Sequence, residues 1–289
     1  MSLLAQARVA APSAVADLDV GIIYTHERQF MPPLLETLCR AAGDLKVRLI
    51  LVDNASADGC GDWQNYFPRT TVRKNASRLG YGANLNRILE AATAPYVLLM
   101  NTDMAFDPEE PCLEKMARFM DSEPDCGAAI CRIYHPDGGY GYPARRFQTP
   151  RTIAARRLGL DTVFSGSVEQ YLYNDRDRES TFDCDWISGC FMFLRREAAA
   201  DVGPFDLRFA KYFEDVDYCA RMAQAGWRVM FSGGTYCYHY EQRASRQLLS
   251  IDAWLHLRSY FRWLAKWGPT PPKPGKLRAA AKPPSLSRI

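Results

Sequence analysis

Two short, continuously apolar runs separated by a helical segment constrain the fold of this 289-residue chain most strongly. The runs are VGIIYTH (residues 20–26) and VRLILVDN (residues 47–54), and neither alternates between apolar and polar side chains. Such continuous hydrophobicity is typical of strands covered on both faces, as in a parallel sheet. The segment between them, MPPLLETLCRAAG, has prolines near its start and Gly43 at its end, which predicts a helix.

The same alternation continues with TTVRKN (residues 70–75), the helical GANLNRILEAA (residues 82–92) and the apolar YVLLMNTD (residues 96–103). Repeated strand–helix–strand units predict an α/β fold, a three-layer α/β/α sandwich with a mostly parallel central sheet.

Beyond Gly127 the pattern is less regular, and residues 140–183 have no clean period. A strand leading into a short helix is predicted over residues 184–203, then a helix over 214–225 and the strand WRVMF. We expect a disordered leader (residues 1–18), one α/β domain (19–250), an amphipathic helix (251–268) and a basic, Pro/Lys-rich disordered tail (269–289).

Cysteine usage and the distribution of charge indicate the redox compartment and the class of partner. Nine cysteines form an odd set without a CxxC pair, which argues against a disulfide framework and a zinc site and favours a reducing cytosol. From Ala253 onward there are eight basic residues and no acid, so the rest of a chain with net charge +3 carries about −5. An acidic body disfavours nucleic acid as a partner, whereas a basic terminal region favours peripheral contact with an anionic membrane surface.

Polar residues follow each predicted strand of the first half. Thr25 and Glu27 follow the first, Asp53-Asn54 the second, Asn75 the third and Asn101-Thr102-Asp103 the fourth. The carboxyl ends of parallel strands share one edge, which is where open α/β sheets bind ligands. The amide and carboxylate of Asn101 and Asp103 could hold a hard divalent cation together with phosphate oxygens. The alternative is that these residues only cap strands and form turns.

Two common nucleotide motifs are absent. LGYGANLN contains Gly80 and Gly82 before a helix, but it lacks the third glycine and the preceding strand of a dinucleotide fingerprint. There is also no GxxxxGK[ST] loop. Nicotinamide enzymes and P-loop ATPases are therefore disfavoured.

Three acids, Glu214, Asp215 and Asp217, crowd the start of the predicted helix after Lys211. A helix N-terminus favours acids, but capping alone needs only one of them. Further along, His239 precedes Arg243 and Arg246, side chains suited to phosphate. A lone histidine is more often structural than a ligand, so these residues alone leave both alternatives open.

Several segments in a fixed order carry a family resemblance. ILVDNASADG, LGYGANLN, LLMNTD, the long block from Trp186 to Phe231, and YHYEQRAS resemble the ordered motifs of family 2 glycosyltransferases, and the nearest subgroup is rhamnosyltransferase-like. The resemblance runs from about Val20 to Ser245, and the long block is its most specific part. It implies the GT-A fold, with a Rossmann-like nucleotide-binding half and an acceptor-binding half, and a hexosyltransferase that uses Mg²⁺ or Mn²⁺.

The resemblance also implies roles for individual residues. The base and ribose of the donor would be held by the loop after the first strand and by Asp53, whose carboxylate would accept the N3–H of uracil or thymine. Asp103 matches the metal-ligating acid of a DxD-type motif, with Asn101 where an aspartate is common, and His239 would complete the metal or diphosphate site. The full implied nucleotide-sugar set is Thr25, Glu27, Asp53, Asn54, Asn75, Gly80, Asn84, Asn101, Thr102 and Arg243.

On the acceptor side, the resemblance implies that Asp215 is the catalytic base of an inverting displacement. Glu214, Trp186 and Gly189 would bind the acceptor, although core packing is nearly as good an explanation for Trp186. We expect the nearby helix terminus to lower the pKa of Asp215. The arginine-rich stretch YPARRFQTPRTIAARR either meets a lipid-linked diphosphate acceptor or forms a solvated basic face.

The resulting hypothesis is a cytoplasmic, metal-dependent glycosyltransferase of cell-envelope polysaccharide biosynthesis. It would use a dTDP- or UDP-linked sugar, L-rhamnose being the favoured guess, and a saccharide or lipid-linked acceptor. The alternatives are a nucleotidyltransferase and an inactive carbohydrate-binding relative. In the last helix, Trp254, Leu257, Phe261 and Leu264 form one apolar stripe, which we expect to pack on the body rather than lie in a bilayer.

Overall fold

The computed structural model describes residues 16–61, 63, 67, 69–150, 152–153, 165–240 and 251–268. The strands are β1 (Leu18–Tyr24), β2 (Val47–Asp53), β3 (Thr70–Lys74), β4 (Tyr96–Met100), β5 (Met104–Ala105), β6 (Cys126–Tyr134), β7 (Ala144–Arg145), β8 (Phe182–Asp183), β9 (Trp186–Ile187), β10 (Phe191–Arg195) and β11 (Arg228–His239). The helices are α1 (Met31–Ala41), α2 (Tyr81–Ala91), α3 (Cys112–Ser122), α4 (Ser165–Tyr171), α5 (Arg196–Val202), α6 (Glu214–Gln224) and α7 (Ile251–Trp267), with a short 3₁₀ helix (Arg28–Phe30) before α1.

A nine-stranded sheet in the order β3-β2-β1-β4-β10-β6-β11-β5 forms the centre, with β8 paired to β11. The strands β3, β2, β1 and β4 are parallel neighbours, and β6 is parallel to β11. Only β10 breaks the run, because it lies antiparallel between β4 and β6. All six of the long parallel strands therefore point the same way, and their carboxyl ends share one edge.

Helices cover both faces of this sheet. All five residues of β4 are buried, and since alternate side chains point to opposite faces, both faces must be shielded. The helices α1 and α3 pack against each other, while α2 lies over β1 and β2. Gly21 in β1 permits this approach, because a Cβ there would stand 2.2 Å from a methyl carbon of Ile88 in α2. The predicted sandwich with a mostly parallel sheet is confirmed.

Element boundaries differ from expectation in two places that matter. The strand β4 ends at Met100, so Asn101 and Asp103 lie in a turn rather than on one face of a strand. The strand β11 runs to His239, well past the predicted WRVMF, because it pairs with β6, β8 and the short β5. Most of the predicted leader and all of the predicted tail lie outside the described residues.

The last helix, α7, binds the body through a face that the sequence did not single out. Trp263 is fully buried and its ring lies 6.0 Å from that of Phe147, and Ser259 donates a hydrogen bond of 2.9 Å to the carbonyl oxygen of Lys211. Trp254 and Phe261, from the stripe expected to pack on the body, are exposed instead. Of that stripe only Leu264 packs against the core, so the expectation is wrong for Trp254, Leu257 and Phe261, because a neighbouring stripe carries the residues that find aromatic and polar partners. No helix in the described part of the chain is long and apolar enough to cross a membrane.

Candidate active site

A cleft of about 350 Å³ opens at the carboxyl ends of β1 and β4. This is the edge at which open α/β sheets bind ligands. The residues that line the cleft are Ile23, Thr25, Glu27, Phe30, Tyr81, Met100, Asn101, Thr102, Asp103 and Lys211. Five of the predicted nucleotide-sugar and metal residues are therefore together in one cavity.

Asp103 and His239 meet at this edge although 136 positions separate them. The pairing of β5 with β11 places His239 opposite Met104, so that its Nε2 lies 3.2 Å from the Oδ1 of Asp103. Burial raises the pKa of Asp103, but hydrogen bonds from His239 and Asn101 outweigh it and hold that pKa below its usual value. Burial lowers the pKa of His239, yet the nearby Cys190 and Asp103 raise it to about 11.

The protein supplies few further metal ligands here. Among the residues that the structure describes, no group of three or more His, Cys, Asp or Glu side chains is arranged to hold a metal ion. A cation in this place would thus depend on a ligand's oxygens in addition to Asp103 and His239. Arg243, predicted to contact phosphate, lies outside the described residues.

The loop after β1 is organised by Glu27. Its Oε2 accepts hydrogen bonds from the backbone N–H groups of Thr25 (3.0 Å) and His26 (2.9 Å). At the end of β2, the Oδ1 of Asp53 accepts a hydrogen bond of 2.8 Å from the backbone of Ser56, and Asp53 is buried. These acids shape the loops beside the cleft, and their predicted contacts with the donor stay predictions.

Three buried asparagines join the ends of β2 and β3 to the start of α2. The Nδ2 of Asn75 donates to the Oδ1 atoms of Asn54 (2.9 Å) and Asn84 (2.6 Å), and the Nδ2 of Asn84 donates to the carbonyl oxygens of Leu79 and Gly80. Asn84 has no exposed surface. Direct contact of Asn84 with a donor remains untested, but this geometry indicates that the network positions the loop that carries Gly80 and begins α2.

Asp215 lies in the first turn of α6. Its two carboxylate oxygens accept hydrogen bonds from the backbone N–H groups of Gly189 (2.9 Å) and Val216 (2.8 Å). The expectation of a lowered pKa is wrong in direction, since burial raises the pKa of Asp215 and outweighs both hydrogen bonds. The side chain is half-buried, so it keeps access to solvent while its proton affinity is increased.

The other two acids of this turn differ from Asp215 and from each other. Glu214 is buried, its Oε2 has no hydrogen-bond partner among the described residues, and burial followed by the field of Asp215 raises its pKa to about 8. Asp217 is also buried, but it is paired with Arg221 (3.0 Å), Lys266 (2.7 Å) and the indole N–H of Trp267 (2.9 Å). Asp217 therefore fixes α7 onto α6.

Backbone strain precedes these acids. Tyr212 and Phe213 both have positive φ angles, 68° and 70°, which side-chain-bearing residues rarely adopt. Phe213 is held by ring contacts with Tyr260 (5.8 Å) and Trp263 (6.3 Å) of α7. Strained backbone that the surrounding structure enforces is concentrated at functional sites.

Trp186 does not present a free face to an acceptor sugar. It is buried, its indole N–H donates a hydrogen bond of 2.8 Å to the carbonyl oxygen of Arg146, and the guanidinium of Arg145 lies 5.0 Å from its ring. The predicted acceptor-binding role of Trp186 is thus corrected to the alternative, core packing, because both the polar edge of the indole and one ring face contact other parts of the protein. Gly189 does lie at the site, through its contact with Asp215.

Two residues of the site were missed by sequence reasoning. The hydroxyl of Tyr81 lies 3.0 Å from the Oδ1 of Asn101 and 3.2 Å from the carbonyl oxygen of Gly189, so it joins the Asp103 turn to the Asp215 loop. Lys211 lines the cleft and places a cation there. The only available signal was position, since Tyr81 lies within LGYGANLN and Lys211 shortly precedes the acids that begin at Glu214.

Comparison with known families gives one match that spans well over half of the chain. Residues 19–203 match the family described as Glycosyl transferase family 2. A second family, described as Glycosyltransferase (GlcNAc), matches residues 146–265.

Curated relatives of similar sequence include rhamnosyltransferases. The N-acetylglucosaminyl-diphospho-decaprenol L-rhamnosyltransferase of Mycobacterium tuberculosis (strain ATCC 25618 / H37Rv) is 26% identical over 243 residues, which cover 78% of this chain and 76% of the relative. The rhamnosyltransferase WbbL of Escherichia coli (strain K12) is 25% identical over 174 residues, covering 59% of this chain and 62% of the relative.

Solved structures with the same fold are more distant in sequence. The mannosyltransferase PcManGT from Pyrobaculum calidifontis, in complex with GDP-Man and Mn²⁺, superposes with a TM-score of 0.56 at 19% identity, covering 87% of this chain and 66% of that one. GalNAc-T7 with UDP, GalNAc and Mn²⁺ superposes with a TM-score of 0.61 at 12% identity, covering 87% and 49%. This chain thus spans about two thirds or less of these proteins, and the likeness establishes the GT-A fold.

The predicted fold and enzyme class are confirmed, and the nucleotidyltransferase alternative is not supported. A parallel sheet whose carboxyl edge gathers Asp103, His239 and Asp215, together with the family match over residues 19–203, shows that the chain belongs to glycosyl transferase family 2 and is a glycosyltransferase.

Proposed function

We propose that the protein transfers L-rhamnose from a pyrimidine nucleoside-diphosphate donor to a lipid-linked glycan, with inversion at the anomeric carbon. The observation that carries this proposal is the connection of two acidic centres through Tyr81, whose hydroxyl contacts both the Asp103 turn and the Gly189 loop that binds Asp215. A displacement reaction needs one centre for the departing diphosphate and another for the incoming hydroxyl.

The donor side would consist of the cleft and the loops beside it. Asp53 would accept the N3–H of the base, and Lys211 would lie near the diphosphate. Asp103 and His239 face each other with an oxygen and a nitrogen, and this pair would fit Mg²⁺ or Mn²⁺ if the cation displaces the imidazole proton and phosphate oxygens complete the coordination. Such an ion would stabilise the negative charge that develops on the diphosphate.

On the acceptor side, Asp215 would act as the general base. One of its oxygens takes the proton of the acceptor hydroxyl while that hydroxyl oxygen forms a bond to the anomeric carbon. The bond between this carbon and the diphosphate oxygen breaks, and its electron pair leaves with the diphosphate. A carboxylate whose pKa is raised by burial is a stronger base than one in water, which supports the assignment.

The identities of sugar and acceptor rest on the relatives. The mycobacterial relative is named for rhamnosyl transfer to an N-acetylglucosaminyl-diphospho-decaprenol, and it matches 78% of this chain.

A buried Glu214 beside Asp215 would hold the acceptor as a neutral carboxylic acid, because its pKa of about 8 keeps it protonated at neutral pH.

Thermal-shift measurements with a panel of nucleotide sugars, each with and without Mn²⁺, test the donor. We expect the largest stabilisation from dTDP-rhamnose with Mn²⁺, and a smaller one from UDP-sugars. Transfer to a water-soluble N-acetylglucosaminyl-diphosphate analogue then tests the acceptor, and the anomeric configuration of the product tests inversion. A larger shift with GDP-mannose, or a retained configuration, would contradict the proposal.

A further inference from the structure

The outer face of α7, defined by Ile251, Trp254, Leu257 and Phe261, is apolar and exposed. These side chains follow one another at intervals of three, three and four residues, which places them along one side of a helix. They are 80%, 58%, 40% and 59% exposed, and they are four of the seven large hydrophobic side chains exposed in the described part of the chain. Such a concentration of apolar surface on one helix indicates a contact surface.

The helix α7 that carries this exposed face is firmly bound to the rest of the protein. The opposite face of α7 is held by the buried ring of Trp263, by the hydrogen bond from Ser259 to Lys211, and by ion pairs from Lys266 to Asp206 (2.8 Å) and Asp217 (2.7 Å). The helix therefore cannot turn its outer face inward without breaking these contacts.

Positive charge borders the outer face. The guanidinium of Arg258 lies 5.0 Å from the ring of Trp254, and Arg262, which follows Phe261, is exposed and donates a hydrogen bond to the carbonyl oxygen of Arg208. The sequence from Ala253 to Ile289 contains eight basic residues and no acid; three of the eight lie on α7, and the other five lie outside the described residues. An apolar stripe with aromatic side chains and flanking arginines is the composition of helices that lie in the interface of an anionic bilayer.

The inner face of the same helix reaches the acceptor side of the site. Phe213, which contacts Tyr260 and Trp263 of α7, immediately precedes Glu214 and Asp215 in the chain. A surface in contact with the outer face of α7 would thus lie about one helix diameter, roughly 10 Å, from residues that adjoin the proposed base.

We propose that the outer face of α7 docks the enzyme on an anionic phospholipid surface, in the orientation that presents a membrane-held acceptor to Asp215. The orientation rests on the proposed function, whereas the docking itself does not. Trp254 and Phe261 enter the interface between headgroups and acyl chains, and Arg258 and Arg262 contact the lipid phosphates.

The test is sedimentation of the full chain with vesicles of phosphatidylcholine and phosphatidylglycerol, compared with vesicles of phosphatidylcholine alone. We expect binding to the anionic vesicles that falls as salt is added. Trp254→Ser/Phe261→Ser should weaken it at least ~10-fold, because the inserted apolar groups are lost. Both side chains are exposed, so an unchanged melting temperature should show that the variant folds.

A matched pair of charge variants separates local contact from overall charge. Arg262→Glu should weaken vesicle binding roughly fivefold or more, whereas Arg118→Glu, the same change on α3 at a side chain that is 74% exposed, should leave it nearly unchanged. Equal effects of the two variants, unaltered binding of the double variant, or no vesicle binding at all would overturn the proposal. So would light scattering that shows a dimer which the double variant dissociates, since the face would then contact a second copy.

Donor binding, measured without vesicles, keeps this result separate from the proposed function. Vesicle binding without any nucleotide-sugar binding would refute rhamnosyl transfer and leave the docking face intact. Nucleotide-sugar binding without vesicle binding would refute the docking face and leave the proposed rhamnosyl transfer intact.

Discussion

The proposed donor side and the proposed acceptor side of the site both contain buried or half-buried acids, but the pKa values of these acids are shifted in opposite directions. On the donor side, Asp103 receives hydrogen bonds from His239 and Asn101, and its pKa is held below the usual value. On the acceptor side, Glu214 is buried and Asp215 is half-buried, and the pKa values of both are raised. Burial raises the pKa of all three acids. The opposite shifts therefore arise from the groups that each carboxylate contacts.

This contrast suits the two tasks that we propose. A carboxylate that binds a cation must remain ionised, so a depressed pKa favours it. A general base must attract a proton, so a raised pKa favours it. The sequence position of an acid within a motif does not reveal whether it is ionised, because Glu214, Asp215 and Asp217 of α6 have three different environments.

The largest expected effect comes from Asp215→Asn. The amide cannot accept the acceptor proton, so kcat should fall by about 10²–10⁴-fold while nucleotide-sugar binding persists. Steady-state transfer assays and a thermal shift with donor measure the two properties. Asp44→Asn, at an exposed acid after α1, is the matched control and should change neither. Near-normal turnover of Asp215→Asn would remove this residue as the base.

The raised pKa of Glu214 predicts a pH-dependent gain in stability for Glu214→Gln. As pH rises from about 4.5 to 8, the unfolded chain releases the Glu214 proton before the folded protein does, so this carboxyl progressively destabilises the fold. Glutamine does not ionise. The variant should therefore exceed the parent in free energy of unfolding by on the order of 2–4 kcal/mol at about pH 8 and by little near pH 4.

Denaturant unfolding across this pH range measures the effect. Asp217→Asn in the same turn is the contrasting control, because it removes ion pairs with Arg221 and Lys266 and should destabilise the protein at about pH 8. A Glu214→Gln variant that loses stability at high pH would show that this carboxyl is ionised and partnered.

On the donor side, Asp103→Asn should weaken Mn²⁺-dependent nucleotide binding by at least ~10-fold, since a carboxylate ligand becomes a neutral amide. Titration calorimetry with and without Mn²⁺ provides the measurement. Asp107→Asn is the control four residues along, where the acid accepts hydrogen bonds from Tyr236 and the backbone of Glu109. Equal loss in both variants would point to a damaged loop instead of a metal ligand.

The smallest effect is expected for Tyr81→Phe, which removes only the hydroxyl that connects the two sides. Loss of one hydrogen bond of about 1 kcal/mol should reduce kcat roughly fivefold and leave the KM of the donor nearly unchanged. Tyr96→Phe deletes a hydroxyl bonded to Asp121 at the far end of β4 and should not affect kcat. A change confined to donor KM would assign Tyr81 to donor binding alone.

Much of the fold could be predicted because the hydrophobic pattern is local. The continuous apolar runs of β1, β2 and β4 indicated strands covered on both faces, and the segments between them indicated helices. The antiparallel β10 in the middle of the sheet could not be predicted, since pairing between distant segments leaves no local period. For the same reason, the length of β11, which depends on β5, β6 and β8, was underestimated.

For the site, residue types indicated the chemistry, but neighbours determined what each residue can do. Trp186 was predicted to bind the acceptor, yet its indole N–H donates a hydrogen bond to the carbonyl oxygen of Arg146 and its ring is covered by the guanidinium of Arg145. Asp215 was predicted to be the base from its place in the sequence, but its pKa is raised by burial and not lowered by the helix terminus. These properties arise from atoms that are distant in sequence.

The order of apolar runs and strand-end polar residues, read along the chain, was enough to specify an α/β sheet with a ligand edge, because both follow from the geometry of neighbouring residues. Only the tertiary structure could join Asp103 to His239, connect the two sides through Tyr81, and decide which stripe of α7 faces outward. Those outcomes depend on packing and burial, which are set by contacts between segments far apart in the chain.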